Sequence, residues 1–225
     1  MNSTVIIFDL NGTLIDSEIV HSSAYAEVLA KYGIKFSIEE FTNFWTRQGK
    51  KLKDYLVEVG RQDLLTLEEK IMQEKQKIFH NTFEEKSKLM PGAGQLLKNL
   101  KKDFRLGLET SGAEEIAIKL LKHFNIQEFF DATVTRDTNF DETKYGLKNL
   151  KSTRLKYLIT ILSSVPEKCV MVGDAEKDIY GAKELGMKTI AVPNEYTKDN
   201  NFSSADKVVG SLSEINSKLI KGLFV

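Results

Sequence analysis

The chain holds one cysteine among its 225 residues, Cys169, in the apolar run KCVMVGD. A single thiol excludes an intrachain disulfide framework and a cysteine-based zinc site, and its setting is that of a small core side chain. Net charge is also missing, since 32 basic residues balance 32 acidic ones. No overall field draws the chain to nucleic acid or to an anionic membrane, and neither is expected as a partner. Nowhere do about eighteen apolar residues run together, as a bilayer span would need. Met1-Asn2-Ser3-Thr4 leads straight into an apolar strand pattern without a charged leader or cleavage site, so the cytoplasm is the expected location. Internal repeats, low-complexity tracts and coiled-coil heptads are lacking as well.

What is present is apolar material and alternation. Hydrophobic residues make up 41% and charged residues 28%, enough for an ordinary domain with a smaller insertion. Val5-Ile6-Ile7-Phe8 reads as a buried strand, with Asp9 at its carboxyl end and Gly12 punctuating the loop beyond. From Asp16 to about Lys88 the periodicity is helical throughout. SEIVHSSAYAEVLAKYG puts Ile19, Ala24, Val28 and Leu29 on one face, and IEEFTNFWTRQG, KLKDYLVEVG and TLEEKIMQEKQKIFHNTFEEKSK follow. The charged stretch from Glu68 to Lys88 reads as a solvated helix face.

After LMPGAGQLLKNLKK, strands and helices alternate: RLGLET, AEEIAIKLLKHF, DATVT, a helix near 151–163, KCVMV, EKDIYGAKELG, KTIAV and KVV. This predicts an α/β fold, a Rossmann-like parallel sheet core flanked by helices, built from residues 1–15 and 88–225. Residues 16–87 are expected to form an all-helical insertion.

Chemistry-bearing residues collect where strands end. Asp9 is followed by Asn11, Gly12 and Thr13; Thr110-Ser111-Gly112 follows LGLE; a lysine precedes or opens the helix near 151; and GDAEKD spans Gly173 to Asp178. A carboxylate nucleophile, hydroxyl and backbone donors, a cation and two further acids suit phosphoryl transfer, with a hard divalent ion held by oxygen ligands. Asp9, Asp174 and Asp178 are acids enough for magnesium, which keeps water and substrate phosphate in its octahedron.

FDLNGTLIDSE, MPGAGQLLKNLKK, LGLETSG and MVGDAEKDIYGAKELGMKTIAV, in that order, resemble the haloacid dehalogenase superfamily over about Val5 to Val192. More narrowly they are similar to its capped phosphatases and sugar-phosphate mutases, the β-phosphoglucomutase and phosphoglycolate phosphatase kind. The resemblance implies an Mg2+-dependent phosphatase acting on a small phosphorylated metabolite, a sugar phosphate or phosphoglycolate, with residues 16–87 as a helical cap. It implies Asp9 as nucleophile and metal ligand, the backbone carbonyl of Asn11 and the Asp174 carboxylate as further ligands, and Asp178 as ligand or support. Asp178 also suits a helix cap, which does not exclude that role. Thr110, with backbone donors of Ser111 and Gly112, would hold the phosphoryl oxygens.

The resemblance also calls for a lysine to offset phosphoryl charge. Lys144, Lys148 and Lys151 all precede the helix, and Lys151 fits the family spacing best, although Ser152 stands where proline commonly follows. His21 falls where sugar-phosphate enzymes often carry a histidine near the cap hinge; a polar residue on a half-buried helix is the equal alternative. Arg47, Lys50, Lys51 and Lys53 cluster around Gly49, where related enzymes place a substrate-specificity loop; a solvated basic turn is the plainer reading. His80 and His123 get no role, and Glu109 is read as an exposed strand end.

Asn11 departs from the pattern, for related phosphatases carry there an acid that protonates the departing alcohol and then activates water. A carboxamide does neither. The substitution fits an alteration that traps substrate or phosphoenzyme, a slow or disabled phosphatase, a family member kept for binding phosphate ligands, or chemistry needing no acid. The slow or disabled phosphatase ranks first. Dehalogenation attacks carbon without metal, which the Asp174/Asp178 pair argues against. A phosphonoacetaldehyde hydrolase would need a Schiff-base lysine such as Lys50 or Lys53, whose spacing from Gly49 matches poorly.

Overall fold

Val5-Ile6-Ile7-Phe8 offers four bulky apolar side chains in a row, a composition that suits a strand covered on both faces. All four are buried and form β1 (Val5–Phe8) within a six-stranded sheet. The computed structural model describes residues 4–47, 50–141, 145 and 149–225. Strands β4 (Arg105–Glu109), β5 (Ala132–Val134), β6 (Cys169–Gly173), β7 (Lys188–Ala191) and β8 (Lys207–Val208) complete the sheet in the order β5-β4-β1-β6-β7-β8. Each neighbouring pair is parallel, so the α/β class expected from the alternating pattern is the fold that forms. Two short strands, β2 (Ile15–Asp16) and β3 (Lys88–Leu89), pair separately.

The chain divides into two compact units, Met1–Asp16 with Leu89–Val225, and Ser17–Lys88. In the first, the order of strands reverses at β1: β4 lies on one side and β6 on the other. Loops leaving the carboxyl ends of these strands diverge there and open a crevice. Phe8 pairs in register with Leu108 and with Val172. The next residues along each strand, Asp9, Glu109 and Gly173, therefore stand level at the crevice. Beneath them one face of the sheet packs on helices Leu150–Ile161 and Glu176–Lys183 through Val5, Ile7, Leu155, Leu158, Met171 and Ala182. Cys169 belongs to this core, and burial pushes its thiol up to about 11, as befits an inert packing residue.

The second unit is helical. Helices Glu18–Ala30 and Glu68–Lys86 pack together, with shorter helices at Ile38–Phe41 and Leu52–Glu58. Ser37 starts the second helix with a capping box: its hydroxyl accepts from Glu40 N at 3.1 Å, and the Glu40 carboxylate accepts from Ser37 N at 2.8 Å. Thr42–Arg47 then continues as a π-helix. The core combines Tyr25, Val28, Leu29, Phe41, Leu56 and Ile71, with Phe41 stacked on Trp45 at 5.6 Å. The face expected for the first helix needs one correction. Ile19 is exposed, while Val20 and Tyr25 join Ala24, Val28 and Leu29 inside. Five residues before Ala24, Ile19 stands about 140° round the helix from it. No described helix is long and apolar enough to cross a membrane.

Candidate active site

A lysine at the start of a helix gathers the acids of the crevice. Asn149 caps helix Leu150–Ile161 by accepting from Lys151 N at 2.8 Å, which orients the first turn. The Lys151 stem lies against Gly181, where an added Cβ would sit 2.9 Å from Lys151 Cγ. Its Nζ, in a side chain only 3% exposed, lies 2.7 Å from Asp9 Oδ1 and 2.7 Å from Asp178 Oδ1, and also pairs with Glu109 Oε2. Burial alone would lower the pKa of this ammonium. Asp178, Asp9 and Glu109 override it and hold the group well above its ordinary range.

The acids feel the opposite pressure. Burial raises Asp9 to about 6, against the pull of Lys151 and with a further push from Asp178. Asp174, directly after β6, is raised to about 8, chiefly by burial and then by the charges of Asp178 and Asp9. Its two oxygens are already fixed: Oδ1 accepts from Thr13 Oγ1 at 2.9 Å and Oδ2 from Asn194 Nδ2 at 3.0 Å. Asn194 Nδ2 also donates to the Gly12 carbonyl at 3.0 Å, tying the loop after β1 to the loop after β7. Gly12 is required there, because its φ is +86° and a Cβ would fall 2.4 Å from Asp174 Oδ2. Asp178 Oδ2 accepts from Ala175 N at 3.1 Å, so this residue does cap its helix while its other oxygen faces Lys151.

Asp9, Asp174 and Asp178 each offer a ligand oxygen, and these atoms lie within 4.8 Å of one another. Buried, hard and anionic, with two of the three acids pushed toward protonation, this donor set fits a small divalent cation such as magnesium. On the opposite side, Thr110 Oγ1 accepts from Gly112 N at 3.0 Å and from Asn11 Nδ2 at 3.5 Å. Ser111 is held by Arg154, whose Nη2 donates to Ser111 Oγ at 2.7 Å. The first unit can thus present a carboxylate nucleophile, a cation and a ring of donors to one anionic group.

Residues 6–192 match the family described as haloacid dehalogenase-like hydrolase. The chain belongs to that family. It is 30% identical to phosphoglycolate phosphatase of Aquifex aeolicus over 88% of each chain. It is 27% identical to the phosphorylated carbohydrates phosphatase of Thermotoga maritima over 82% of each. A haloacid dehalogenase-like hydrolase of Streptococcus pneumoniae shares the fold, with a TM-score of 0.74 at 20% identity, covering 95% of this chain and 96% of that one.

The residues singled out in the sequence are distributed unevenly in this haloacid dehalogenase-like chain. Asp9, Asn11, Thr110, Ser111, Gly112, Lys151, Asp174 and Asp178 all belong to the first unit and to the network just described. Lys144 and Lys148 lie outside the described residues, as does the side chain of Arg47. Lys50 and His21 belong to the second unit. Lys50 forms an exposed ion pair with Glu58 at 3.2 Å and lies over the Phe44 ring. His21 Nδ1 meets Lys75 Nζ at 2.9 Å, and its ring stacks on Phe79 at 4.2 Å. Burial, aided by Lys75, holds that imidazole well below its ordinary pKa.

Four residues carry more than the sequence suggested. Glu109 is not an exposed strand end: it is 0% exposed and pairs with Lys151 and with Arg154 Nε, because helix Leu150–Ile161 covers it. Arg154 had a signal in its spacing, three residues after Lys151 and so on the same helix face. Asn194 had one in its position, a polar side chain three residues past β7. Lys75 interrupts a stripe of buried Ile71, Phe79 and Phe83 at steps of four, so the stretch from Glu68 to Lys88 is not solvated all round.

Proposed function

We propose that the chain is a cytoplasmic, magnesium-dependent phosphatase of small phosphorylated metabolites, sugar phosphates or phosphoglycolate, working through an aspartyl phosphate on Asp9. The observation that carries the reading is Asp9 itself, a buried carboxylate at the end of β1 that touches Lys151 and shares a donor cluster with Asp174 and Asp178. In this reading an Asp9 oxygen attacks phosphorus as the bond from phosphorus to the ester oxygen breaks and the alcohol departs. Water then cleaves the aspartyl phosphate, releasing inorganic phosphate and restoring the Asp9 carboxylate. Lys151, the Thr110 hydroxyl and the backbone N–H of Ser111 hold the transferring oxygens, with Gly112 N–H fixing the Thr110 hydroxyl. Asp9, Asp174, Asp178 and the Asn11 carbonyl would hold magnesium, which supplies neutralisation of charge between nucleophile and incoming anion. The helical unit is assigned the part of a substrate-selecting cap, as in similar family members.

Asn11 sets the pace. An amide can neither protonate a departing alkoxide nor take a proton from water, so the chain forgoes a contribution of roughly 10²–10⁴-fold. Turnover on ordinary alcohol esters should therefore be slow, while aryl phosphates, whose leaving groups need little protonation, are cleaved more readily. Asn11 also favours a second reading, a protein that binds magnesium and phosphate ligands without turnover.

Assays of an aryl phosphate and a panel of sugar phosphates and phosphoglycolate, with magnesium or with chelator, separate the two. The phosphatase reading expects magnesium-dependent hydrolysis that Asp9→Asn abolishes, and a gain of roughly 10²–10⁴-fold on alcohol esters in Asn11→Asp. An Asn11→Asp protein no faster than the parent would refute the role given to position 11. Binding of magnesium and phosphate without hydrolysis in either form would favour the second reading.

A further inference from the structure

We propose that Glu109 and Arg154 form a positioning pair that turns the Ser111 hydroxyl toward the transferring phosphoryl group and holds the Lys151 ammonium beside Asp9. The inference rests on the phosphatase reading above and gives parts to two residues outside the reacting set. Glu109 stands level with Asp9, one strand away, and is wholly buried. A carboxylate at that depth must be compensated, and here it is compensated twice: Oε1 accepts from Arg154 Nε, and Oε2 pairs with Lys151. Lys151 is thereby suspended among Asp9, Glu109 and Asp178 rather than collapsed onto the nucleophile alone.

Arg154 continues the chain of contacts. Its Nε is engaged by Glu109, and its Nη2 donates to Ser111 Oγ at 2.7 Å. A guanidinium can bridge two partners in a fixed plane, which an ammonium on a flexible stem cannot do. The Ser111 oxygen accepts this bond, which leaves the hydroxyl's single proton to be donated elsewhere. Ser111 is exposed and adjoins Thr110 and Gly112, so that proton is available to an anion entering beside Asp9. Glu109 and Arg154 carry opposite charges and add nothing to the net charge of the site. Their effect is one of orientation, expressed in oxyanion binding and not in metal binding.

The test uses the full chain and two probes, magnesium alone and orthovanadate in the presence of magnesium, titrated against the native protein, Ser111→Ala, Arg154→Lys and the double variant. Each single variant is expected to lose on the order of tenfold in vanadate affinity, with no further loss in the double. Magnesium affinity stays within about twofold throughout, a split that a general loosening of the fold would not give. Glu109→Gln, which keeps shape and removes charge, should weaken vanadate in the same direction. The exposed Ser111→Ala substitution guards against misfolding of the buried variants. If Ser111→Ala binds vanadate as the native protein does, or if the two single losses add in the double variant, the pairing is overturned. Native protein that binds neither probe refutes the phosphatase reading instead, and this inference with it, whereas a fault confined to the variants touches only the pair.

Discussion

A dication entering among Asp9, Asp174 and Asp178 must displace the protons that burial keeps there. Asp174 is raised to about 8 and Asp9 to about 6. At pH 7 the two acids together then hold about one proton, most of it on Asp174, so each magnesium ion releases about one proton. Near pH 6 the release rises to about 1.5, and near pH 9 it falls to about 0.1. Magnesium affinity should tighten roughly 15-fold from pH 6 to 7, about 1.7 kcal/mol, and level off above about pH 8. Calorimetric titration at several pH values, in two buffers of different protonation enthalpy, reads affinity and proton count together. The same shifts set stability in chelator. An unfolded aspartate ionises near 3.8 and the folded groups later, so the folded state binds more protons in between. Metal-free stability therefore falls as pH rises from about 4 through 6 for Asp9 and through 8 for Asp174. His21, whose pKa burial depresses, gives the opposite slope below about 6.5, and comparing magnesium with chelator cancels it. Proton release near zero at pH 7, or affinity that ignores pH, would refute this electrostatic account.

Lys151→Met keeps the stem that packs on Gly181 and removes the cation shared by three buried acids; urea unfolding in chelator should show a loss of about 3–5 kcal/mol. A loss below about 1 kcal/mol would mean that the acids do not depend on it. Asn194→Ala frees Asp174 Oδ2 and the Gly12 carbonyl, and magnesium affinity should drop roughly 10–100-fold while the far-ultraviolet spectrum stays unchanged. Lys75 is lowered to about 8 by burial, so its charge is a burden to the helical unit near neutrality. Lys75→Met should stabilise the protein by about 1–3 kcal/mol. The parent, whose unfolded lysine keeps its proton longer, should gain stability from about pH 8 to 10.5, a slope the variant lacks.

The residues at strand ends were legible because two independent patterns converge on them. Alternation of apolar runs locates the carboxyl ends of β1, β4 and β6, and a parallel sheet whose strand order reverses at β1 must bring those ends together. Asp9, Thr110 and Asp174 follow directly. What joins side chains across long stretches of sequence was not legible in the same way. Arg154 and Glu109 are 45 positions apart, and their contact depends on how deeply the helix seats on the sheet. Asn194 reaches Gly12 across 182 positions, through a loop with no periodicity to read. A lone Glu in RLGLET signalled something unusual, but its chemistry depended on a cation that only packing supplies. Lys75 was legible in principle, since a single charge on an apolar stripe of step four is buried unless the helix turns.

Counting the buried charges of the first unit explains why an amide at position 11 is tolerated. Asp9, Glu109, Asp174 and Asp178 face Lys151 and Arg154, leaving two negative charges in excess when all are ionised. Burial raises both Asp9 and Asp174, and the neighbouring acids push in the same direction, so the folded chain resists carrying that excess. One dication would close the balance. Another acid at position 11, two residues from Asp9, would add to the excess and would have to hold its proton to avoid repulsion. That is what a general acid needs and what an amide never offers. In the proposed phosphatase, Asn11 would therefore relieve the electrostatics of the metal-free site at the expense of proton transfer. The two effects are separable, because Asn11→Asp should lower metal-free stability at high pH and raise turnover with magnesium in the same protein. If turnover rises without any loss of stability in chelator, the acid is not sensed by its neighbours, and the charge balance drawn here does not govern the site.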